Sequence, residues 1–238
     1  MSAEGKFRNS IFHTKPWVMP REPEEIRAIF TEFGRPRVFE RGAMIAHGGE
    51  DGAVCMVERG VVTFGYYDRD QRHQVFNVIL PGRTVGDLES LDASSYPIIA
   101  KCIRPTRVLI VGRDLWLERL RSSVQVMEAY ARSANLKHQC TMEGMICNYT
   151  LPLEERLRKF FYALITAHYS PKPAGWNPCP VVLTVTEIAR IVACNRSWVS
   201  RTLSGWVASG LVKKDGRMLL LSSRLFPTSC REEDFVSS

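Results

Sequence analysis

The stretch from Leu183 to Leu203, LTVTEIARIVACNRSWVSRTL, constrains the chain most. Thr186 to Val192 carries Ile188, Ala189, Ile191 and Val192 on one helical face, and Arg196 to Leu203 repeats the pattern with Val199 and Leu203. Ala193-Cys194-Asn195 separates them. Thr184 or Thr186 can cap the first helix and Asn195 the second, by offering a side-chain oxygen to the unpaired N–H groups of the first turn. This spacing predicts a helix-turn-helix. In such a motif the second helix enters the major groove of double-stranded DNA, which makes Arg196, Ser197, Trp198, Ser200 and Arg201 the candidate contacts, with Thr184, Thr186 and Asn195 at the helix starts. Arginine can meet guanine O6 and N7 with two parallel hydrogen bonds, and serine can serve several bases or a phosphate. Trp198 and Trp206 read as packing residues or as the edge of the interface. The competing reading is a surface helical hairpin with two solvated arginines.

The residues that follow weigh against that alternative. After a turn at Gly210, LVKK and RMLLL flank Asp215-Gly216, a dipeptide that favours a tight two-residue hairpin turn. A β-hairpin behind a helix-turn-helix is a winged helix, and its strand adds Lys213 and Lys214 to the candidate contacts. Residues 151 to 230 hold eleven Lys or Arg against four Asp or Glu, so this segment carries the +7 formal charge of the whole chain. A basic excess confined to the motif's segment is the electrostatic footprint of a phosphate-binding surface.

Residues 1–20 are polar, with Phe12, Pro16, Trp17 and Pro20 as punctuation, and read as an arm. Glu22 to Phe33 reads as a helix with acidic residues in its first turn and Gly34 as its cap. From Pro36 to Val111, β-branched and aromatic residues alternate between turn signals spaced about eight to twelve residues apart, which predicts an antiparallel sandwich or barrel. Asp114 to Arg121 is a short helix. From Val124 to about Asn148 there is no proline, and Met127, Tyr130, Ala131, Ala134, His138, Thr141 and Met145 recur at the spacing of a seam that packs on the same helix of a second copy. Leu151-Pro152 restarts a helix, and the proline-rich residues 170 to 180 read as a loop. The expected division is 1–20 arm, 21–122 β-barrel sensing domain, 123–148 dimerisation helix and 149–238 winged helix-turn-helix.

At 238 residues and 45% hydrophobic, the chain can bury two modest cores. No segment reaches 18 apolar residues and the first residues lack the apolar stretch of a signal peptide, so a cytoplasmic protein with no membrane partner is expected. Seven scattered cysteines form no C-x-x-C pair, as in a reducing compartment. Cys140 and Cys147, seven apart on one helix, share a side, which offers a cross-link between two subunits under oxidation, although a pair of small buried thiols is the favoured reading. The five histidines show no metal-ligand spacing, and no nucleophile with a base at a recognisable spacing or glycine-rich phosphate loop appears. A non-enzyme without cofactor or metal is the expectation.

A β-barrel, a long helix and a winged helix-turn-helix in this order resemble the cyclic AMP receptor/FNR (Crp/Fnr) superfamily of bacterial transcription regulators. RGAMIAHGGEDGAVCMVERGVVTF, LPGRTVGDLESLD and the helix-turn-helix carry the resemblance, over roughly residues 30 to 222. It implies an α+β chain with an N-terminal antiparallel β-barrel of the cupin-like, cyclic-nucleotide-binding-like jelly-roll type. It also implies a homodimer on an inverted-repeat operator, RNA polymerase as a partner, and control by a small-molecule effector. In the cyclic nucleotide receptors an arginine followed by serine or threonine holds the phosphate. Gly86-Asp87-Leu88 matches the start of that segment, but Tyr96-Pro97 stands in place of the pair, so cyclic AMP is not the expected ligand. No cysteine precedes Cys55, against an iron–sulfur cluster, and Asp-Leu-Glu-Ser follows Gly86, against haem.

The resemblance is nearest to the regulators of anaerobic halogenated-aromatic respiration. In that branch a lysine on the long helix meets the ligand's phenolate, and ungapped counting from Pro105-Thr106-Arg107 places Lys137 there. The implied effector pocket, for a phenol or aromatic acid, is lined by Val85, Gly86, Leu88, Tyr96, Ile98 and Lys137. The alternative is a solvated Lys137 beside the seam. The recognition helix carries Ser197 where the best-known relatives carry a glutamate. The base that the glutamate would read should therefore differ or relax. Two other function classes remain open: an effector-independent architectural or silencing protein, and an enzyme built on the barrel.

Overall fold

The computed structural model describes residues 15–45, 52–91, 98–169 and 174–226. The chain divides into two compact units, residues 19–138 and residues 1–18 with 139–238. The sequence expectations for the first fourteen residues and for Tyr96 lie outside the described residues.

In the first unit, α1 (Glu24–Phe33) precedes eight strands: β1 (Arg35–Phe39), β2 (Met44–Ile45), β3 (Ala53–Arg59), β4 (Val62–Tyr67), β5 (His73–Ile79), β6 (Thr84–Val85), β7 (Ile99–Cys102) and β8 (Thr106–Gly112). The jelly-roll expectation is met, since among the described residues the strands form two four-stranded antiparallel sheets, β1-β8-β3-β6 and β2-β7-β4-β5, with no closed barrel between them. Strand β3 explains the layering. Cys55 and Val57 join Val62, Ile79, Ala100 and Cys102 in one core. The alternate residues Val54 and Met56 pack with Ile26 and Phe30 of α1, Trp116 and Leu120 of α2 (Arg113–Arg121), and Tyr130. Side chains two apart share a face, so a strand covered on both sides reads as an unbroken apolar run. Gly34 is not a left-handed cap, because its backbone is extended. A Cβ there would lie 2.4 Å from the Phe30 carbonyl oxygen, and that close approach accounts for the glycine.

Helix α3 (Val124–Thr150) belongs to both units, with His138 the last residue assigned to the first. In the second unit, Gly144 lets Trp17 approach, since a Cβ would meet its ring at 3.1 Å. Trp17, expected in a polar arm, is fully buried and meets Phe160 of α4 (Leu153–His168) edge to face at 6.1 Å. Both Cys140 and Cys147 are fully buried, and the Cys140 thiol donates to the Lys15 and Val18 carbonyls, so neither thiol is presented for a cross-link. After β9 (Trp176–Pro178) come α5 (Val185–Ile191), α6 (Arg196–Ala208), β10 (Val212–Asp215) and β11 (Met218–Ser222).

The second unit's sheet has the order β10-β11-β9. Strand β9 lies in the stretch read as a loop, where four prolines between 170 and 180 mask the three residues that pair with β11. The wing's turn is also one residue further on than expected. Asp215 pairs with Met218, leaving Gly216 and Arg217 as the loop, and Gly216 takes φ +56°. A positive φ at the first of two turn residues suits a type II′ hairpin.

Candidate functional site

Two groups of polar residues stand out, one in each unit. In the second, the helix-turn-helix is built by its caps. The Thr184 hydroxyl accepts from the Glu187 N–H at 3.2 Å, and the Glu187 carboxylate accepts from the Thr184 N–H at 2.7 Å. This reciprocal pair starts α5 at Thr184, not at Thr186. The Asn195 side-chain oxygen takes both the N–H and the hydroxyl of Ser197, at 2.9 and 2.8 Å, and starts α6. Between the helices, Arg156 of α4 donates to the Val192 and Ala193 carbonyls, at 2.8 and 3.2 Å, and holds the turn in place.

Ala193 sits in this turn at φ +47°. The left-handed conformation costs an L-residue with a Cβ roughly 1–2 kcal/mol, while glycine in the unfolded chain costs roughly 0.4–1 kcal/mol more entropy on folding. Ala193→Gly should therefore stabilise this unit by about 0.5–1 kcal/mol, seen as a higher thermal midpoint. A lower midpoint would mean that the turn is not strained.

Val199, Leu203 and Trp206 bury one side of α6, which leaves Arg196, Ser197, Trp198, Ser200 and Arg201 exposed on the other. The Arg201 guanidinium lies 4.0 Å from the Trp198 ring centroid. On the wing, Lys213 and Lys214 are exposed, and Lys213 stands 4.2 Å over the exposed ring of Trp176. Of the ten candidate DNA contacts, Thr186 alone is half-buried and the others are exposed. Three neighbours escape the sequence reading. Arg217 is hidden by placing the turn one residue early, Trp176 by the proline-rich stretch, and Arg156 by lying on another helix. Only Arg217 has a local signal, the Gly-Arg pair that forms the turn itself.

In the first unit, Tyr130, Ser133 and Lys137 follow one another at intervals of three and four along α3 and so share a face. All three are buried with Glu22, Thr84 and Asp87. The Lys137 ammonium lies 2.6 Å from Glu22 Oε1, 2.6 Å from Asp87 Oδ2 and 2.7 Å from the Thr84 hydroxyl. Ser133 donates to Glu22 Oε2 at 2.6 Å, and the Tyr130 hydroxyl donates to the Asp87 carbonyl at 3.0 Å. Burial pushes the Lys137 pKa down, but the charges of Asp87 and Glu22 and their hydrogen bonds outweigh it and raise it above its ordinary value. Burial also raises the Tyr130 phenol, and the Asp87, Glu22 and Glu89 charges raise it further.

Lys137 is thus neither solvated nor aimed at an open anion site: at 2% exposure it carries two carboxylates of its own unit. Of the residues expected to line an effector pocket, Val85 and Gly86 are buried beside Thr84 and Asp87, and Leu88 and Ile98 are half-buried. An open cavity of about 980 Å³ lies at the end of α1, lined by Phe33, Arg35, Arg37, Arg113 and Asp114 among others. None of its lining residues belongs to the expected effector set.

The expected dimer seam divides in two. Tyr130 must be withdrawn from it, being 3% exposed and packed edge to face on Trp116 at 5.7 Å. Met127, Ala131, His138 and Met145 are exposed on α3, and Ala134 and Thr141 are half-buried. Exposed Val124, Met142 and Tyr149 extend this row at the same spacing.

Residues 36–123 match the cyclic nucleotide-binding domain family. Among solved structures the chain is similar to FixK2 from Bradyrhizobium japonicum, at 22% identity and a TM-score of 0.67 over 86% of this chain and 99% of that one. It is similar to TTHA1359, a transcriptional regulator of the CRP/FNR family from Thermus thermophilus, at 14% identity and a TM-score of 0.62 over 84% and 97%. It is similar to CprK in complex with OCPA at 15% identity and a TM-score of 0.59 over 88% and 97%. No curated protein matches the sequence. Likenesses of this size establish the fold and do not single out the halogenated-aromatic branch, since FixK2 is nearer in sequence than CprK. No helix among the described residues is long and apolar enough to cross a membrane.

Proposed function

We propose, for a chain that carries a cyclic nucleotide-binding domain and has the fold of the CRP/FNR-family regulators, that it is a homodimeric, sequence-specific DNA-binding transcription regulator controlled by a small molecule. The observation that carries this reading is the exposed row Arg196, Ser197, Ser200 and Arg201 on α6, which Asn195 caps, beside the wing cations Lys213, Lys214 and Arg217. Two copies joined along α3 would each place one α6 in a major groove, on half-sites about one helical turn apart. The uncovered row from Val124 to Tyr149 is the face for that contact. RNA polymerase and a cytoplasmic setting belong to the same proposal.

The effector is a molecule other than cyclic AMP, bound beside Val85, Gly86, Leu88, Tyr96, Ile98 and Lys137 in the first unit. A phenol or aromatic acid would have to displace Glu22 or Asp87 from Lys137, which couples its binding to the α3 attachment. It can act only through a different affinity for the two arrangements of the dimer. Calorimetry with a panel of phenols and aromatic acids tests this, and no heat with any of them would remove that class.

The two carboxylates on Lys137 also favour a second reading, an effector-independent architectural protein whose buried charges are already satisfied. Arg201→Ala separates the two readings. On the duplex that the protein prefers it should cost about 1–3 kcal/mol at one base pair and little on random DNA. An equal loss on both would make Arg201 a phosphate contact and favour the architectural reading.

A further inference from the structure

We propose that Trp198 is a positioning residue for Arg201 and thereby sets how strictly the protein reads one base pair. The inference rests on the DNA-binding reading and names the regulation of specificity within it.

Trp198 lies off the core face of α6 formed by Val199, Leu203 and Trp206, and it is 56% exposed. The contact present is with Arg201, one turn on, whose guanidinium carbon lies 4.0 Å from the ring centroid. Among the described residues no carboxylate pairs with Arg201, so the indole is what orients it.

The chemistry allows both roles at once. A guanidinium stacks through its face and donates hydrogen bonds through its edge, so a ring against one face leaves the fork open for guanine O6 and N7. Arginine held in one rotamer loses less conformational freedom when the guanine arrives, and the gain is confined to the base that accepts both bonds. A phosphate is met in many orientations and gains little from the same restraint. Trp198 should therefore raise discrimination at the base pair read by Arg201 by more than it changes sequence-independent affinity.

The test compares base preference, position by position, for the full chain and for Arg201→Ala, Trp198→Ala and Trp198→Phe, by binding to duplexes that vary one base pair at a time. The position that relaxes in Arg201→Ala identifies the base concerned. Trp198→Ala should relax the same position by about two- to thirtyfold, the range of a cation–π contact from exposed to desolvated. Trp198→Phe should restore part of it, the thermal midpoint should stay unchanged, and any loss of affinity for random DNA should be smaller than the relaxation at that position. Three results would overturn the proposal: no change at that position, relaxation at another position, or a uniform loss on every duplex. If the unaltered chain prefers no sequence, the regulator reading fails together with this one. A wild-type preference that survives Trp198→Ala sinks this inference alone.

Discussion

Lys137→Met should cost the first unit about 3–5 kcal/mol, the usual penalty for leaving a buried charge without its partner. Methionine keeps the length of the aliphatic stem and removes only the ammonium that sits between Glu22 and Asp87. The pH dependence should change sign with it. In the wild type, burial pushes the Glu22 carboxyl up, but the Lys137 charge and hydrogen bonds from Lys137, Ser133 and Thr84 outweigh it and hold it below the ordinary 4.5. A carboxyl lowered in the folded state contributes stability above its unfolded pKa and loses it as pH falls through the folded value. Lys137, raised above 10.5, contributes below that value and loses it as pH rises through the raised one. The wild type should thus be level across neutral pH and weaken on acidification below 4.5.

In Lys137→Met the ammonium no longer acts on Glu22, and burial, the largest influence, raises the carboxyl above 4.5 against the Ser133 and Thr84 donors. A raised carboxyl favours folding below its unfolded pKa and opposes it as pH climbs through the folded value. The variant should therefore gain stability between about pH 7 and about pH 5, where the wild type does not change. Urea midpoints at the two pH values measure this. Adding Glu22→Gln and Asp87→Asn to Lys137→Met should recover most of the loss. A variant as stable as the wild type, with no dependence on pH, would mean that the cluster is hydrated and not buried.

DNA affinity should fall by about 10³–10⁵ between roughly 50 and 200 mM salt if the dimer neutralises about six to ten phosphates. Each copy offers Arg190, Arg196, Arg201, Lys213, Lys214 and Arg217, all exposed on α5, α6 and the wing. A dimer therefore has more than enough cations for that number, and the two-residue turn places Arg217 at the tip of the wing. Lys213→Ala with Lys214→Ala should flatten the slope of log affinity against log salt by about 0.9 for each phosphate that is no longer neutralised, equally on all sequences. Fluorescence anisotropy over a salt series gives the slope. A slope unchanged by the double substitution would place the wing away from DNA.

The elements are legible where local chemistry sets them. Alternation locates the strands from Arg35 to Gly112, and the choice of Thr184 or Thr186, with Asn195, marks the helix starts within two residues. Arrangement is less legible. Nothing local says whether strands close into a barrel or form two sheets. Strand β9 lies between prolines, and its pairing with β11 is made 44 residues away, from Asn177 to Leu221. Tyr130 illustrates the limit of periodicity, which gives a helix several faces but does not say which neighbour covers each. Spacing puts it in the seam, whereas Trp116 and the Asp87 carbonyl take it inward. Lys137 stands out in the sequence, yet its partners Glu22 and Asp87 lie 115 and 50 residues away along the chain and carry no sequence signal that pairs them with it.

The central claim is sequence-specific binding by a symmetric dimer, and selection from a randomised duplex pool with the purified chain tests it most directly. The account predicts enrichment of one inverted repeat, its half-sites about one helical turn apart, with one strongly preferred base pair in each half-site that relaxes in Arg201→Ala. Retained DNA with no common sequence, with or without added small-molecule extract, together with steep salt dependence, would contradict it.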